Sequence, residues 1–227
     1  MPSCEFWYCD VLGLYDARVF REAMAQLPWP ERRAKVDRFV FQKDKCLCLG
    51  AGLLCAHALR EAGAHDLAMD YGPHGKPYLK NHPHLHFNVS HSGTMVACAV
   101  SSDPVGIDVE ERQPYDEGVA RLCFTHEELE WLGRQDDADQ AFVRLWTRKE
   151  SYLKLLGTGL SKPANSFSAM PGAYPEPNMC FCERELANCA LCICTRGHAA
   201  TGGSIPLVSL CNGSTMRGTS QCPTEEP

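Results

Sequence analysis

HFNVSHSGTMVACAVSSDPVGIDVE, the sequence of residues 86–110, contains three short apolar segments separated by the turn sequences HSG and SSDP. Short runs rich in β-branched and aromatic residues, bounded by Gly, Pro, Ser and Asp, are typical of strands. We therefore expect three consecutive strands that pair as an antiparallel meander. On the third strand Asp108 and Glu110 are two residues apart, so both carboxylates face one side of the sheet while Ile107 and Val109 face the other.

The spacing of Asp108 and Glu110 fits two kinds of strand. Alternate residues of a strand have alpha carbons roughly 6.5–7 Å apart, which lets two carboxylates share a cation. Taken alone, the pair favours an ordinary half-exposed strand with solvated acids, because Asp and Glu are mostly exposed in proteins. The pair by itself therefore does not identify a metal site.

A second informative stretch, LWTRKESYLKLLG at residues 145–157, predicts the last part of an amphipathic helix that ends at Gly157. Trp146, Glu150 and Lys154 are spaced four residues apart and lie along one edge of this helix. A surface Glu–Lys pair beside a partly buried Trp would produce the same spacing. Three acids without soft ligands also suit Mg²⁺, which prefers oxygen ligands and bridges substrate phosphates.

The remaining sequence predicts further elements of an α+β fold. Apolar periodicity and Pro30 predict one or two helices between residues 30 and 62, and a high density of Gly, Pro, His and Asn marks residues 71–83 as a loop. The other expected elements are strands at 5–12, 166–169 and 188–195, and helices at 115–123, 126–132 and 139–156. Residues 197–227 lack periodicity, which predicts a poorly ordered tail.

Composition argues against several classes of protein. The 227 residues carry a formal charge of −6, which argues against a broad nucleic-acid-binding surface. The first ten residues contain no basic segment, and the longest apolar stretch, residues 46–59, is too short to cross a bilayer. We therefore expect a cytoplasmic protein that binds neither nucleic acid nor membrane. The 14 cysteines are then expected to be reduced thiols rather than disulfides or a zinc site.

Four blocks together resemble a known family. They are FNVSHSG at 87–93, VGIDVE at 105–110, FTHEEL at 124–129 and LWTRKESYLKLLGTGL at 145–160. In this order and at similar separations they resemble the signature blocks of surfactin-type phosphopantetheinyl transferases. PERRAK at 30–35 and GKPYL at 75–79 also resemble that family's coenzyme-A-contacting segments. The resemblance covers roughly residues 1–170 and continues more weakly to about residue 196.

The resemblance implies two similar small α+β halves, each an antiparallel sheet packed on a long helix, in a pseudo-twofold arrangement with the active site between them. We expect an N-terminal half at residues 1–111, a C-terminal half at 112–196 and the tail at 197–227. The implied activity is the magnesium-dependent transfer of 4′-phosphopantetheine from coenzyme A to a serine of an apo acyl- or peptidyl-carrier protein. Adenosine 3′,5′-bisphosphate is the expected second product, and a monomer is the expected state.

The resemblance also implies residue roles. Asp108, Glu110 and Glu150 match the magnesium ligands, and Glu150, Lys154 and His91 match the catalytic groups. The residues expected to bind coenzyme A are Arg32, Lys35, Lys45, Gly75, Lys76, Pro77, Tyr78, Ser90, His91, Ser92 and Lys154. Taken one at a time, His91 and Lys76 also fit ordinary turn and surface residues.

Other activities stay open at the level of sequence. The family often has an arginine at the position of Cys46, where it helps to hold the 3′-phosphate, and here Lys45 lies beside that position. The departure motivates one alternative, a catalytically degenerate protein that binds coenzyme A or the carrier. A magnesium phosphodiesterase or nucleotidyl transferase is a third hypothesis. For carrier docking, we expect a basic and apolar patch formed by Arg112, Arg121, Leu122 and Phe124.

Overall fold

The computed structural model describes residues 3–212 and 220–221. Its helices are α1 (Ala17–Gln26), α2 (Pro30–Arg38), α3 (Gln42–Glu61), α4 (Glu117–Cys123), α5 (His126–Leu132), α6 (Ala138–Leu156) and α7 (Leu207–Asn212). Its strands are β1 (Cys4–Asp10), β2 (Met69–Tyr71), β3 (Pro77–Leu79), β4 (His86–Ser92), β5 (Met95–Ser101), β6 (Gly106–Glu111), β7 (Met179–Leu186), β8 (Cys189–Arg196), β9 (Ala200–Ser204) and β10 (Ser220–Gln221). The fold is therefore of the α+β class, as predicted.

The first sheet has the strand order β10-β9-β1-β5-β4, and α3 packs against it. β4 and β5 form the predicted antiparallel hairpin, with Ser90 opposite Ala97. The third strand of the expected meander departs from this sheet. β6 pairs with β8 instead, in a second sheet of order β6-β8-β7. The meander prediction was wrong at this point because alternation of side chains identifies a strand but not its partner.

Close backbone packing explains where β6 goes. A Cβ atom at Gly106 would lie 1.8 Å from the carbonyl oxygen of Ser151 on α6. Only glycine therefore lets the start of β6 lie directly against the backbone of α6. The same approach brings the strand that carries Asp108 against the helix that carries Glu150.

The two sheets meet through an apolar layer. Phe6 of β1, Ala99 of β5, Ile107 and Val109 of β6, and Ile193 of β8 are all fully buried in this layer. Separate cores lie under α3 in the first half and under α6 in the second. The division of the chain after Glu111 stays a prediction, although the pairing of β6 favours a boundary before Gly106.

Local chemistry defines the ends of α5 and α6. Thr125 and Glu128 form a reciprocal capping box at the start of α5. The Asp137 side chain accepts a hydrogen bond from the backbone N–H of Gln140 at the start of α6. Gly157 ends α6 with a φ of 68°, as expected of a glycine at a helix terminus. The long amphipathic helix was thus predicted to within a residue.

Three regions differ from the sequence predictions. Residues 166–169, predicted as a strand, form none. The strand that pairs with β8 is instead β7, which was not predicted. The region 71–83, predicted as a loop, contains one side of the small β2–β3 hairpin. Residues 200–212, predicted to belong to a poorly ordered tail, form β9 and α7, and β9 pairs in parallel with β1. The rest of the predicted tail, apart from β10, lies largely outside the described residues.

The cysteines and helices bear on two further expectations. Of the cysteines that the structure describes, twelve carry free thiols, as predicted, whereas Cys182 is disulfide-bonded, so the prediction of reduced thiols was wrong for this residue. Most of the free thiols are buried and pack as small apolar groups. Within residues 3–212, no helix is long and apolar enough to cross a membrane.

Candidate active site

Asp108 lies at the centre of the candidate site, where the two sheets meet. Its side chain is 2% exposed, and its Oδ1 atom lies 2.5 Å from the Lys154 ammonium on α6. The Ser90 hydroxyl on β4 donates a 2.8 Å hydrogen bond to the same oxygen, and Lys154 donates a 2.9 Å hydrogen bond to the Ser90 oxygen. The first sheet, the second sheet and α6 thus each contribute one residue to this network.

The second oxygen of Asp108 is left without a partner. Oδ2 is buried, and nothing in the described part of the chain donates a hydrogen bond to it. A buried carboxylate oxygen without a donor costs about 1–3 kcal/mol or more, so such an atom calls for an explanation. A bound cation beside Oδ2 would give this oxygen an electrostatic partner.

Glu110 lies two residues further along β6, on the same face as Asp108. The Ser92 hydroxyl donates a 2.8 Å hydrogen bond to its Oε2 atom. Burial, followed by the negative charge of Asp108, raises the pKa of Glu110, whereas Ser92, Lys154 and the Trp146 indole act in the opposite direction. The predicted alternation along β6 is confirmed, because Ile107 and Val109 face the apolar layer.

Glu150 adds a third carboxyl group from α6. It is half-buried, and burial followed by the charge of Asp108 raises its pKa above the ordinary value of 4.5. Lys154, one turn further along the helix, lowers that pKa in part. Asp108 therefore acts electrostatically on both glutamates, as expected of three acids that share one region.

These three acids do not form a ready-made metal cage. Among the described residues, no group of three or more His, Cys, Asp or Glu side chains is arranged to hold a metal ion. Lys154 lies on Asp108 and supplies a positive charge there. The donor set nevertheless fits a hard cation, since it consists of carboxylate oxygens and includes the unpartnered Oδ2 of Asp108.

Basic residues from the first half lie near the exposed His91. Although the His91 side chain is exposed, the neighbouring protein desolvates the ring in part, and this desolvation, followed by the positive charges of Lys154, Arg32 and Lys35, lowers the pKa of His91. The Arg32 guanidinium is partly committed, because its Nε donates a 3.1 Å hydrogen bond to the carbonyl of Cys48. Lys35 is exposed on α2. A positive region therefore borders the carboxylates.

The segment with Gly75, Lys76, Pro77 and Tyr78 belongs to the β2–β3 hairpin. Gly75 has a φ of 81° and closes the turn with a 2.9 Å hydrogen bond to the carbonyl of Gly72. Tyr78 is 47% exposed and available to a ligand. Lys76 is arranged differently, because its ammonium donates hydrogen bonds to the carbonyl groups of Lys154 and Leu155 at the end of α6.

The expected roles of Ser90, Ser92 and Lys45 in binding coenzyme A stay predictions. The hydroxyls of Ser90 and Ser92 contact Asp108 and Glu110, so they orient the carboxylates. Lys45 is half-buried at the start of α3. Ser90 and Ser92 alternate along β4, just as Asp108 and Glu110 alternate along β6. This shared period of two residues is the sequence signal that would have predicted the contacts.

The patch expected for carrier docking is only partly present. Phe124 is 3% exposed and belongs to the core, which rules out a docking role for its ring. Arg112 pairs with Asp137 at 2.6 Å, and Arg121 pairs with Glu117 at 2.6 Å. Leu122 is 75% exposed on α4.

Comparison with known proteins places this arrangement in a transferase family. The family model described as the 4′-phosphopantetheinyl transferase superfamily matches residues 104–201, and the model of the N-terminal region of 4′-phosphopantetheinyl transferases matches residues 16–103. The 4′-phosphopantetheinyl transferase gsp of Aneurinibacillus migulanus is 43% identical over 168 residues, which cover 72% of this chain and 70% of that protein. The chain belongs to the 4′-phosphopantetheinyl transferase superfamily.

Relatives from Bacillus subtilis match a shorter region. One 4′-phosphopantetheinyl transferase is 38% identical over 143 residues, and the transferase Sfp is 36% identical over 144 residues. Each alignment covers 61% of this chain and 64% of the relative. The chain thus spans somewhat less than two thirds of the length of these relatives.

Proposed function

We propose that this protein transfers the 4′-phosphopantetheine group of coenzyme A to a serine of an apo acyl- or peptidyl-carrier protein and releases adenosine 3′,5′-bisphosphate. The observation that carries the proposal is the buried Asp108, which lies against Lys154 and leaves its Oδ2 without a donor. Glu110 and Glu150, both with raised pKa, adjoin it. Family membership gives this acidic and basic cluster its chemical meaning.

Asp108, Glu110 and Glu150 are the residues that would hold Mg²⁺. When bound, the ion would neutralise the diphosphate of coenzyme A and the charge that develops on its leaving group. Ser90 and Ser92 keep two of the three carboxylates in place through the hydrogen bonds of 2.8 Å described above. Lys154 is 28% exposed, so its ammonium has access to a ligand in the same place.

The proposed reaction is an attack by the serine hydroxyl oxygen on the β-phosphorus of coenzyme A. A new oxygen–phosphorus bond forms, and the bond from this phosphorus to the oxygen bridging to the α-phosphate breaks. The serine proton passes to Glu150, whose raised pKa makes it a stronger base than an ordinary glutamate. Lys154 and His91 orient the diphosphate and stabilise the departing bisphosphate.

Binding of the nucleotide end is assigned to the first half of the chain. Arg32, Lys35 and Lys45 would attract the 3′-phosphate, and the charges of Arg32 and Lys35 already act on His91. The hairpin with Gly75, Pro77 and Tyr78 would line the adenine pocket.

For the carrier protein, the exposed Leu122 on α4 is the remaining candidate contact. We expect the enzyme to act as a cytoplasmic monomer.

The test is the intact mass of an apo carrier protein after incubation with this protein, coenzyme A and Mg²⁺. We expect the carrier to gain one phosphopantetheine, and we expect chelation of the metal or the Asp108→Asn change to abolish the gain. Glu22→Gln is the matched control, because it neutralises an exposed acid that pairs with Arg18 on α1. Coenzyme A binding without mass gain on any of several carriers would instead support a catalytically degenerate binding protein.

A further inference from the structure

Lys76 makes contacts that its position in a surface hairpin does not suggest. Its ammonium donates hydrogen bonds to three carbonyl oxygens, those of Val105 at 3.0 Å, Lys154 at 2.5 Å and Leu155 at 3.3 Å. Val105 immediately precedes β6, whereas Lys154 and Leu155 form the last turn of α6. One side chain from the first half of the chain therefore joins the start of β6 to the end of α6.

The position suits a cation electrostatically. The last carbonyl groups of a helix have no partners within the helix and carry partial negative charge, so an ammonium there satisfies and stabilises them. The stem of Lys76 passes close to Gly157, where a Cβ atom would lie 3.1 Å from the Lys76 Cδ. The end of α6 is thus shaped to admit this side chain.

Stability alone does not explain a lysine at this position, because its ammonium loses hydration. Lys76 is half-buried, and desolvation alone, with no carboxylate of the described residues acting on its ammonium, lowers the pKa of this lysine to about 8. Taking an ammonium out of water without a counter-ion costs free energy, which its three hydrogen bonds have to offset. A role in geometry explains the amine better than a role in stability.

We propose that Lys76 is a positioning residue, which fixes the β2–β3 hairpin, the start of β6 and the end of α6 relative to one another and thereby sets Lys154 against Asp108. Only the expected effect of Lys76 on the reaction rate rests on the proposed function. The Lys154 carbonyl is held by Lys76 while the Lys154 ammonium binds Asp108, so loss of the first contact displaces the second. The same contacts fix the hairpin that would line the adenine pocket.

The test compares Lys76→Met, Lys76→Arg and a control, Lys80→Met. Lys80 belongs to the same hairpin region but is half-exposed and forms only a surface pair with Asp70 at 3.4 Å. We expect Lys76→Met to lower kcat at saturating coenzyme A and carrier by about tenfold or more, because small misplacements of catalytic groups are costly. Its Tm should stay well above the assay temperature, so that the loss of rate is not a loss of folded protein. Lys76→Arg should recover part of the rate, and Lys80→Met should behave as the wild type.

Two outcomes would overturn the proposal. One is a kcat of Lys76→Met within about twofold of the wild type, and the other is a loss of kcat explained by an equal loss of folded protein. Hydrogen exchange supplies a readout that does not need activity. Peptides spanning 72–78 and 150–157 should exchange about tenfold faster in Lys76→Met and not in Lys80→Met. If the wild type transfers nothing, the proposed function fails, while unchanged exchange would separately refute the role of Lys76.

Discussion

The buried pair of Glu128 and Lys149 offers a sharp test of what holds the second half together. Both side chains are 0% exposed, and the Lys149 ammonium lies 2.7 Å from the Glu128 carboxylate. Glu128 also accepts hydrogen bonds from the backbone N–H groups of Thr125 and Ala169, each at 2.7 Å. Lys149 in turn donates to the carbonyls of Ala164 and Phe167. The pair therefore ties α5, α6 and the loop after α6 to one another.

The expected cost of breaking the pair follows from this geometry. Glu128→Gln keeps the shape of the side chain but turns an amide N–H₂ toward groups that are themselves donors, and it leaves Lys149 buried without a counter-charge. Removing one partner of a buried ion pair typically costs about 3–5 kcal/mol. For a domain of this size each kcal/mol lowers Tm by about 2–4 °C. We therefore expect a drop of about 6–20 °C in thermal unfolding.

Controls separate the buried pair from ordinary ion pairs. Glu117→Gln breaks the exposed pair with Arg121 and should cost at most about 0.5 kcal/mol. The double change Glu128→Gln with Lys149→Met should be less destabilising than Glu128→Gln alone, because it removes the stranded charge. A loss below about 1 kcal/mol for Glu128→Gln in urea unfolding would refute this reasoning.

Two other predictions concern the site itself. Because the pKa of Glu150 is raised in the folded protein, ionising this group costs stability, and the cost grows as pH rises from about 4.5 through the raised value. Glu150→Gln should therefore increase Tm at pH 8 but not at pH 4, while lowering kcat by about 100-fold or more; near-normal turnover would contradict its role as the base. Gly106→Ala places a Cβ 1.8 Å from the Ser151 carbonyl oxygen and should destabilise the fold by about 1–3 kcal/mol or more in urea unfolding. Unchanged stability of this variant would mean that β6 and α6 separate easily.

The sequence was informative where the spacing of residues along a strand or helix agrees with the chemistry of their side chains. Alternation along VGIDVE correctly separated Asp108 and Glu110 from the apolar face of β6, and the spacing of Glu150 and Lys154 placed both on one edge of α6. The pairing of β6 with β8 could not be read in the same way, because partners 78–88 residues apart leave no local pattern. Glu128 belongs to a capping box whose local pattern is ordinary, and only its tertiary partner makes it a buried ion.

Contacts made by long side chains were equally hidden. Lys76 follows a glycine and precedes a proline, which favours an exposed turn, yet its ammonium reaches the end of α6. β9 escaped prediction for a different reason. A Cβ at Gly202 would lie 1.8 Å from the carbonyl oxygen of Phe6, so this strand needs glycine and lacks the β-branched pattern that identifies most strands. Close backbone packing thus removed the signal on which strand prediction depends.

The parallel pairing of β9 with β1 has a consequence for how the protein is made. β1 is synthesised long before β9, at residues 200–204, which is one of its two neighbours in the sheet. Until those residues are synthesised, β1 remains an edge strand with a free row of backbone donors and acceptors. The first sheet is therefore begun early and completed late, after the strand and helix with the candidate catalytic residues have been translated. The first half of the protein depends for its completion on residues that follow the second.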